Sequence, residues 1–344
     1  MFLTAPLPAV IAANASVGKA WAHHATGILA GLMAGGVFLV GVFYLTAPAT
    51  APNPQAFDFA VMATGVVAAA LASKPVRERV ARLIPVDPDN PVHSLALVLA
   101  VIVVGTSAAS LAFTNVLASD QQLPPLALGD LVAQELPFLL IGLAGVGIWV
   151  RRDLRASAAR LGIVVPAWWH IVLALAAAGA FYAFGLASHS LSQVITPGLA
   201  DQVDKSSEHL FGGLGGSLGG IIALALIPGI CEDVLFRGAL QPRFGLVLTA
   251  FLFAAIHTEY AFSIDALSIF VIALGLGAIR KYTNTTTSSA CHVAYNLLVG
   301  LNLAGLALNI GIGVELVLAM IVGLVIWPMR RRSAEAMAET SGVR

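Results

Sequence analysis

The sequence predicts an all-α fold, a polytopic bundle of transmembrane helices. Of the 344 residues only 10% are charged and 58% are hydrophobic, and the mean hydropathy is +0.90. A soluble protein of this length needs more charged residues to cover its surface. The apolar residues also fall into runs long enough to cross a bilayer. Because the formal net charge is zero, we expect no nucleic-acid partner.

These apolar runs define the predicted elements. A spanning helix needs roughly 20 apolar residues, and about ten segments approach this length. In chain order they are Ile28–Thr46, Phe57–Ser73, His93–Leu117, Leu131–Val150, Ala167–Ala187, Leu214–Ile230, Leu246–His257, Ile264–Ile279, Ser289–Leu306 and Ile310–Trp327. The seventh segment is short for a full crossing.

Cationic residues follow every second predicted span, so they all fall on one side of the bilayer. The clusters are Lys74, Arg77, Arg79 and Arg82, then Arg151, Arg152, Arg155 and Arg160, then Arg237 and Arg243, then Arg280 and Lys281, and finally Arg330 to Arg332. The positive-inside rule makes this side the cytoplasm. Both termini are therefore predicted to be cytoplasmic.

The motifs divide the chain into three predicted parts. Residues 1–165 are N-terminal transmembrane helices without a functional motif, residues 166–330 hold every candidate site residue, and residues 331–344 form a cytoplasmic tail. Between the first two parts, the basic segment Arg151–Gly162 is either a short surface helix or a solvated connector. The polar stretch Ser188–His209 is expected to form an outer loop covering the second part.

The first candidate motif is the run from Cys231 to Arg237, at the end of an apolar segment. Ionisable groups at membrane depth are functional by default because they are costly to bury. If the helix continues, Asp233 and Arg237 are four residues apart and form an ion pair. Glu232 then points about 100° away and is free to face a cavity as a general base. The alternative is a juxtamembrane charge cluster without chemistry.

Two later motifs carry histidines. His257 closes the short seventh span and is either catalytic or an ordinary interfacial or core histidine; it stays near the first motif only if this span is short or tilted. His292 and Asn296 are four residues apart and share one helix face. Together they suit the stabilisation of an oxyanion, and the alternative is a hydrogen bond that joins helices.

Glycines precede the first motif. Gly212, Gly216 and Gly220 recur every four residues and predict a bare helix face against which a neighbour packs closely. Pro228 and Gly229 are expected to loosen the backbone just before the acids.

The three motifs, in this order on hydrophobic segments, resemble those of the CPBP family of intramembrane endopeptidases. This family includes type II CAAX prenyl proteases and bacterial relatives linked to bacteriocin processing and immunity. The resemblance covers Leu210 to Leu308. It implies hydrolysis of a peptide bond in a membrane protein or lipidated peptide, by an integral protein that we expect in a bacterial plasma membrane. The predicted topology makes the active site open towards the cytoplasm.

The resemblance also implies roles for individual residues. Glu232 and His257 would activate a water molecule, and His292 with Asn296 would support the oxyanion. The family usually has two glutamates in its first motif, whereas the second position here is Asp233. We therefore expect Asp233 and Arg237 to support the site rather than to react.

Several alternatives remain open at this stage. Glu232, His257 and His292 could hold a divalent metal such as zinc, which takes two histidines and a carboxylate in some catalytic sites, although a water-activating glutamate needs none. Cys231 could be a cysteine nucleophile, although both it and Cys291 are expected to be inert free thiols. The same ionisable residues could relay protons in a secondary transporter, or the chain could be an inactive scaffold or immunity factor.

Overall fold

The computed structural model describes residues 5–45 and 54–340, and this part of the chain is helical, without strands. Its α-helices are α1 (Leu7–Ser16), α2 (Ala20–Tyr44), α3 (Pro54–Ala72), α4 (Lys74–Val80), α5 (Pro91–Phe113), α6 (Val116–Asp120), α7 (Leu128–Val146), α8 (Leu154–Leu161), α9 (Trp168–Ile195), α10 (Pro197–Gly215), α11 (Leu218–Asp233), α12 (Gln241–Ile256), α13 (Ile264–Tyr282), α14 (Thr285–Leu301) and α15 (Gly305–Thr340). A π-helix, Val234–Leu240, joins α11 to α12, and a 3-10 helix, Thr258–Tyr260, follows α12. The predicted all-α fold is confirmed.

Seven helical segments in the described residues are long and apolar enough to cross a membrane. They are His24–Tyr44, Pro54–Ala72, Pro91–Phe113, Leu128–Val146, Trp168–Ile195, Leu218–Ile256 and Gly305–Val325. The predicted eighth and ninth spans correspond to α13 and α14, which are helical but are not among these seven. The chain is thus an integral membrane protein, while the count of about ten spans and the cytoplasmic placement of both termini stay predictions.

The predicted sixth and seventh spans form one helical run that folds back on itself. Leu218–Ile256 has 39 residues and would measure about 58 Å if straight, nearly twice the hydrocarbon core. Its backbone leaves helical geometry at Gly245, with φ 79° and ψ 173°, a region that essentially only glycine adopts. The rings of Phe236 and Phe253 are 5.3 Å apart, whereas a straight helix would separate them by about 25 Å. The chain therefore reverses at Gly245.

Two expectations about the segment before this hairpin are wrong. The stretch Ser188–His209 is not a loop, since it is covered by the end of α9 and most of α10. The glycine stripe does not lie on one helix either, because Gly212 is in α10, Gly216 caps it, and Gly220 is in α11. Ser217 starts the new helix by accepting a hydrogen bond from the Gly220 N–H at its side-chain oxygen, which is a standard N-cap.

The N-terminal and C-terminal halves share one apolar core. Leu95 and Val98 of α5 belong to the same buried cluster as Phe236 and Phe253. Helix α7 approaches the π-helix closely, because a Cβ added at Gly142 would lie 3.2 Å from the Leu235 Cα. The N-terminal helices therefore form one wall of the region that holds the candidate site.

The basic segment Arg151–Gly162 is a helix packed on one side, rather than a solvated connector. Leu161 in α8 is fully buried, and the Arg160 side chain donates to the Gly238 carbonyl at 3.1 Å. The carbonyl of Gly162 accepts from the Thr285 N–H at 3.0 Å. Helix α8 and the glycine that follows it are thus hydrogen-bonded to both the π-helix and the start of α14.

Predicted residues at the ends are only partly described. Helix α15 continues through Thr340, so the described part of the predicted tail is helical. Residues 341–344 of that tail, and Thr46 at the end of the first predicted span, lie outside the described residues.

Candidate active site

The first motif lies where α11 passes into the π-helix. Glu232 and Asp233 end α11, and Arg237 lies within the π-helix. A π-helical turn widens the backbone and is frequent at functional sites. The exposed fractions are 5% for Glu232, 0% for Asp233 and 1% for Arg237. The three side chains are therefore buried inside the protein rather than exposed at the helix end.

Asp233 and Arg237 form the predicted ion pair. Arg237 Nη1 lies 3.2 Å from Asp233 Oδ1, although the N–H does not point at the oxygen well enough for a hydrogen bond. The guanidinium carbon of Arg237 also lies 4.0 Å from the centre of the Phe253 ring, a cation–π contact. Arg237 is thus held by a carboxylate on its own helical run and by a ring from the returning half of the hairpin.

His292 of α14 contacts both acids. Its Nδ1 is 3.2 Å from Asp233 Oδ1, and its Nε2 is 3.8 Å from Glu232 Oε2. The carboxylate of Asp233 accepts the Nδ1 hydrogen, which leaves Nε2 of a neutral ring as a lone pair that faces Glu232. One imidazole thus lies between the two acids, with a different ring nitrogen facing each of them.

Glu232 itself retains an unpaired oxygen. Within the described residues, its Oε2 is buried without a hydrogen-bond partner. An orphaned buried polar atom is costly and calls for a ligand, a water molecule or a proton. We expected Glu232 to be free to face a cavity; the structure buries it among protein atoms, with His292 Nε2 3.8 Å from its Oε2.

The close approach of α11 and α14 brings these groups together. A Cβ added at Gly229 would lie 3.0 Å from the Val293 N and 2.7 Å from its Cγ2, so only glycine fits. The Ser289 hydroxyl donates to the Gly229 carbonyl at 2.7 Å. We expected Gly229 to loosen the backbone, but it lies within the continuous helix α11. Its role is to let α14 approach closely enough to place His292 next to Glu232.

His257 lies near this group without bonding to it directly. Its Nδ1 lies 2.8 Å from the Phe253 carbonyl, and because a carbonyl only accepts, Nδ1 carries the hydrogen and Nε2 is free. The Phe253 ring is 4.6 Å from the His257 ring and 5.8 Å from the His292 ring. The segment Leu246–Ile256 extends only about 16 Å, roughly half the hydrocarbon core, so it is too short to cross the core by itself.

The position of Asn296 is set by its place on α14 rather than by a side-chain hydrogen bond in the described residues. It lies on α14, one turn after His292 and on the same face, and it is half-buried. The described contacts give its amide no partner, which leaves the amide N–H groups available.

Two further carboxylates were missed in the sequence. Glu135 of α7 is 8% exposed, its Oε2 has no partner among the described residues, and its charge interacts with that of Glu232. It is a glutamate within a predicted span, which is itself a signal of function. Glu259, in the 3-10 helix after His257, is half-buried; burial raises its pKa, and nearby His257 lowers it in part.

The metal-site alternative finds no support in this arrangement. Among the described residues, no group of three or more His, Cys, Asp or Glu side chains is arranged to hold a metal ion. Glu232 and His292 are neighbours, but no ion pair or hydrogen bond joins His257 to either of them in the described chain. Among the described residues, the three candidate ligands therefore do not form such a group.

The cysteine-nucleophile alternative lacks its required contact. Cys231 and Cys291 are buried free thiols. In the part of the chain that the structure describes, neither sulfur has a hydrogen bond to a histidine, which a cysteine nucleophile needs for activation.

Comparison with known proteins supports the resemblance found in the motifs. Residues 215–298 match the model of a family described as type II CAAX prenyl endopeptidase Rce1-like. The matched range contains Glu232, His257, His292 and Asn296. It also contains Gly229, where α11 and α14 approach closely. No curated protein and no solved structure matched the chain.

Proposed function

We propose that this chain, which belongs to the CPBP family through residues 215–298, hydrolyses a peptide bond within the membrane by means of a water molecule activated at Glu232. The observation that carries the proposal is the buried, unpartnered Oε2 of Glu232, 3.8 Å from His292 Nε2. A carboxylate positioned in a dry site is a suitable general base.

In the proposed reaction, Glu232 takes a proton from water while the water oxygen attacks the peptide carbonyl carbon. His257 offers its free Nε2 to the same water, because its Nδ1 hydrogen is held by the Phe253 carbonyl. The protonated Glu232 then gives its proton to the leaving amine as the C–N bond breaks. The glutamate returns to its starting state, so no other reactant is needed.

The oxyanion of the tetrahedral intermediate would be stabilised from α14. The amide N–H of Asn296 is available for this, one helical turn from His292. His292 donates at Nε2 only when it carries a second proton. Asp233, 3.2 Å from Nδ1, is the group that would hold the resulting cation. Donors aimed at developing charge contribute much of the catalysis in such sites.

The substrate class follows from where the site lies. Glu232 belongs to a membrane-spanning run, so the scissile bond must reach membrane depth. A membrane protein or a lipidated peptide meets this condition. We further propose that the site opens towards the cytoplasm of a bacterial cell, because all the cation clusters lie on the side where α11 ends.

The test compares membrane-protein termini in host cells that carry the wild type or Glu232→Gln. Gln keeps the size of the side chain but cannot act as a base. We expect specific new termini to disappear in the variant and to return on complementation. With a substrate identified in this way, the variant should cleave it at least about 100-fold more slowly.

The matched control is Glu208→Gln, which removes an exposed glutamate of α10 and should leave the termini unchanged. If the termini are the same in wild type and Glu232→Gln at equal abundance, the protease proposal fails. Proton-coupled uptake into vesicles that is lost in Glu232→Gln would then favour the transporter.

A further inference from the structure

A cavity separate from the reacting groups lies between the two halves of the molecule. It has a volume of about 240 Å³, and its lining comes mainly from α5, α7, the π-helix and α12, with Pro6 and Val10 at the start of α1. Its walls are apolar, with Ala96, Val103, Phe138, Phe236 and Leu252 among them. None of Glu232, His257, His292 and Asn296 lines it.

The cavity has a charged end and an apolar end. Arg151, Arg152, Arg160 and Arg243 all line it. They lie beside the start of α5 and the end of α7, whereas Val103 and Phe138 lie in the middle of these helices. From Asn90 to Val103 the lining extends roughly 20 Å along α5, a little more than one leaflet of the hydrocarbon core. The cavity thus has the length and polarity of one lipid leaflet.

Within the described residues, no acidic side chain pairs with the arginines at this end of the cavity. Among the described residues no aspartate or glutamate lines the cavity, and none of the four arginines takes part in an ion pair. Their side-chain bonds go to neutral oxygens: Arg151 donates to Asn14 Oδ1, Arg152 to the Val146 carbonyl and Arg160 to the Gly238 carbonyl. Burial, and then repulsion by Arg243 and Arg152, lowers the pKa of Arg160 to about 10. Within the described residues, these four arginines therefore have no anionic partner.

We infer that this cavity binds an anionic membrane lipid, with its phosphate among Arg151, Arg152, Arg160 and Arg243 and one acyl chain between α5, α7 and the hairpin. Basic pockets between transmembrane helices on the cytoplasmic side are suited to anionic head groups, and an arginine holds a phosphate through paired donors. The four arginines belong to the cation clusters that the positive-inside rule places in the cytoplasm, the side of the anionic leaflet.

Native mass spectrometry tests the inference on the full-length protein released from nanodiscs of phosphatidylcholine and phosphatidylglycerol. The wild type should retain phosphatidylglycerol in preference to phosphatidylcholine. Removing two of the charges with Arg160→Gln and Arg243→Gln should weaken retention by roughly fivefold for each arginine. Narrowing the cavity midway along α5 with Ala96→Leu should also reduce retention, with the charges intact.

Matched controls separate the cavity from general effects of charge and size. Arg155→Gln removes an exposed arginine of the same helix α8, and Ala69→Leu enlarges an exposed alanine of α3; neither residue lines the cavity, and both variants should retain lipid as the wild type does.

Two results would overturn the inference: equal retention of both lipids, or retention unchanged by both the arginine and the alanine variants. Displacement of the lipid by a farnesylated peptide with a free C-terminal carboxylate would instead assign the cavity to substrate. Glu232→Gln should still bind lipid, so the two proposals fail independently.

Discussion

At the scale of single residues, Arg237 makes contacts with three different parts of the candidate site. It is 1% exposed, it pairs with Asp233, it covers the Phe253 ring, and its carbonyl accepts a hydrogen bond from the Arg280 side chain at 2.9 Å. A charge in such a position is tolerated only while its partner is present, because an unpaired buried ion is strongly destabilising. The position of Asp233, and through it that of His292, therefore depends on Arg237.

This dependence predicts a non-additive pair of substitutions. Asp233→Asn and Arg237→Gln should each lower the free energy of unfolding by about 3–5 kcal/mol, since each leaves one buried charge unpaired. The double variant should lose less than the sum, because no lone charge remains. Chemical unfolding in detergent micelles measures all three values.

The chain offers a control with the same spacing. Asp201 and Lys205 on α10 are also four residues apart and lie 2.7 Å from each other, but their side chains are 59% and 64% exposed. Exposed pairs contribute little, so Asp201→Asn, Lys205→Gln and their combination should leave unfolding unchanged. Additive losses at Asp233 and Arg237 would contradict the assignment of a buried pair.

At the scale of helices, the site depends on how closely two of them approach. Glu232 is on α11 and His292 on α14, and the helices touch at Gly229 and Val293. A glycine without a side chain sets this separation, and the Ser289 bond to the Gly229 carbonyl fixes the register. Any side chain at residue 229 must push the two functional groups apart.

Gly229→Ala should therefore slow cleavage more than it affects the fold. A displacement of about 1 Å between reacting groups can cost roughly 100-fold in rate, and we expect a loss of that order at unchanged abundance. The rate is measured with the substrate identified through the Glu232→Gln comparison.

Gly219→Ala is the matched control, since it makes the same change near the start of the same helix, where an added Cβ meets no atom within 4 Å. Its activity should equal that of the wild type. Equal activities of the Gly229 and Gly219 variants would show that the helix separation does not govern the reaction.

The hairpin at Gly245 is the second helix-scale feature that forms the site. It returns Phe253 to Arg237, and His257 directly follows this short returning segment. The sequence indicated a short seventh segment starting at Leu246, directly after Gly245, but it did not indicate that the two halves of the hairpin pack on each other.

At the scale of the whole molecule, the N-terminal half contributes to the site rather than standing apart from it. Helix α7 packs on the π-helix at Gly142 and carries the buried Glu135. The division into parts 1–165, 166–330 and 331–344 stays a prediction from the sequence.

The predicted orientation can be tested by thiol labelling. In a background with Cys231 and Cys291 replaced by serine, Arg155→Cys and Asp204→Cys each place one thiol at an exposed residue, on opposite predicted sides. A membrane-impermeant maleimide added to intact spheroplasts should label only residue 204, and after disruption it should label both. Labelling of residue 155 in intact spheroplasts would reverse the orientation and remove the cytoplasmic placement of the site.

Sequence alone was enough to predict the membrane class, the helical fold and the motifs that contain Glu232, His257 and His292. Apolar runs and isolated charges are local properties of the chain, so they can be read directly from it. The pair formed by Asp233 and Arg237 was predictable for the same reason, since four residues span one helical turn.

The contacts between distant residues, in contrast, could not be predicted and are seen only in the folded chain. The contact of His292 with both acids depends on the approach of α14 at Gly229, and the position of His257 depends on the reversal at Gly245. The burial of Glu135 beside the site and the arginine-rimmed cavity depend on packing between the two halves. Each of these arises from contacts between segments far apart in the chain, whose partners and distances no local pattern specifies.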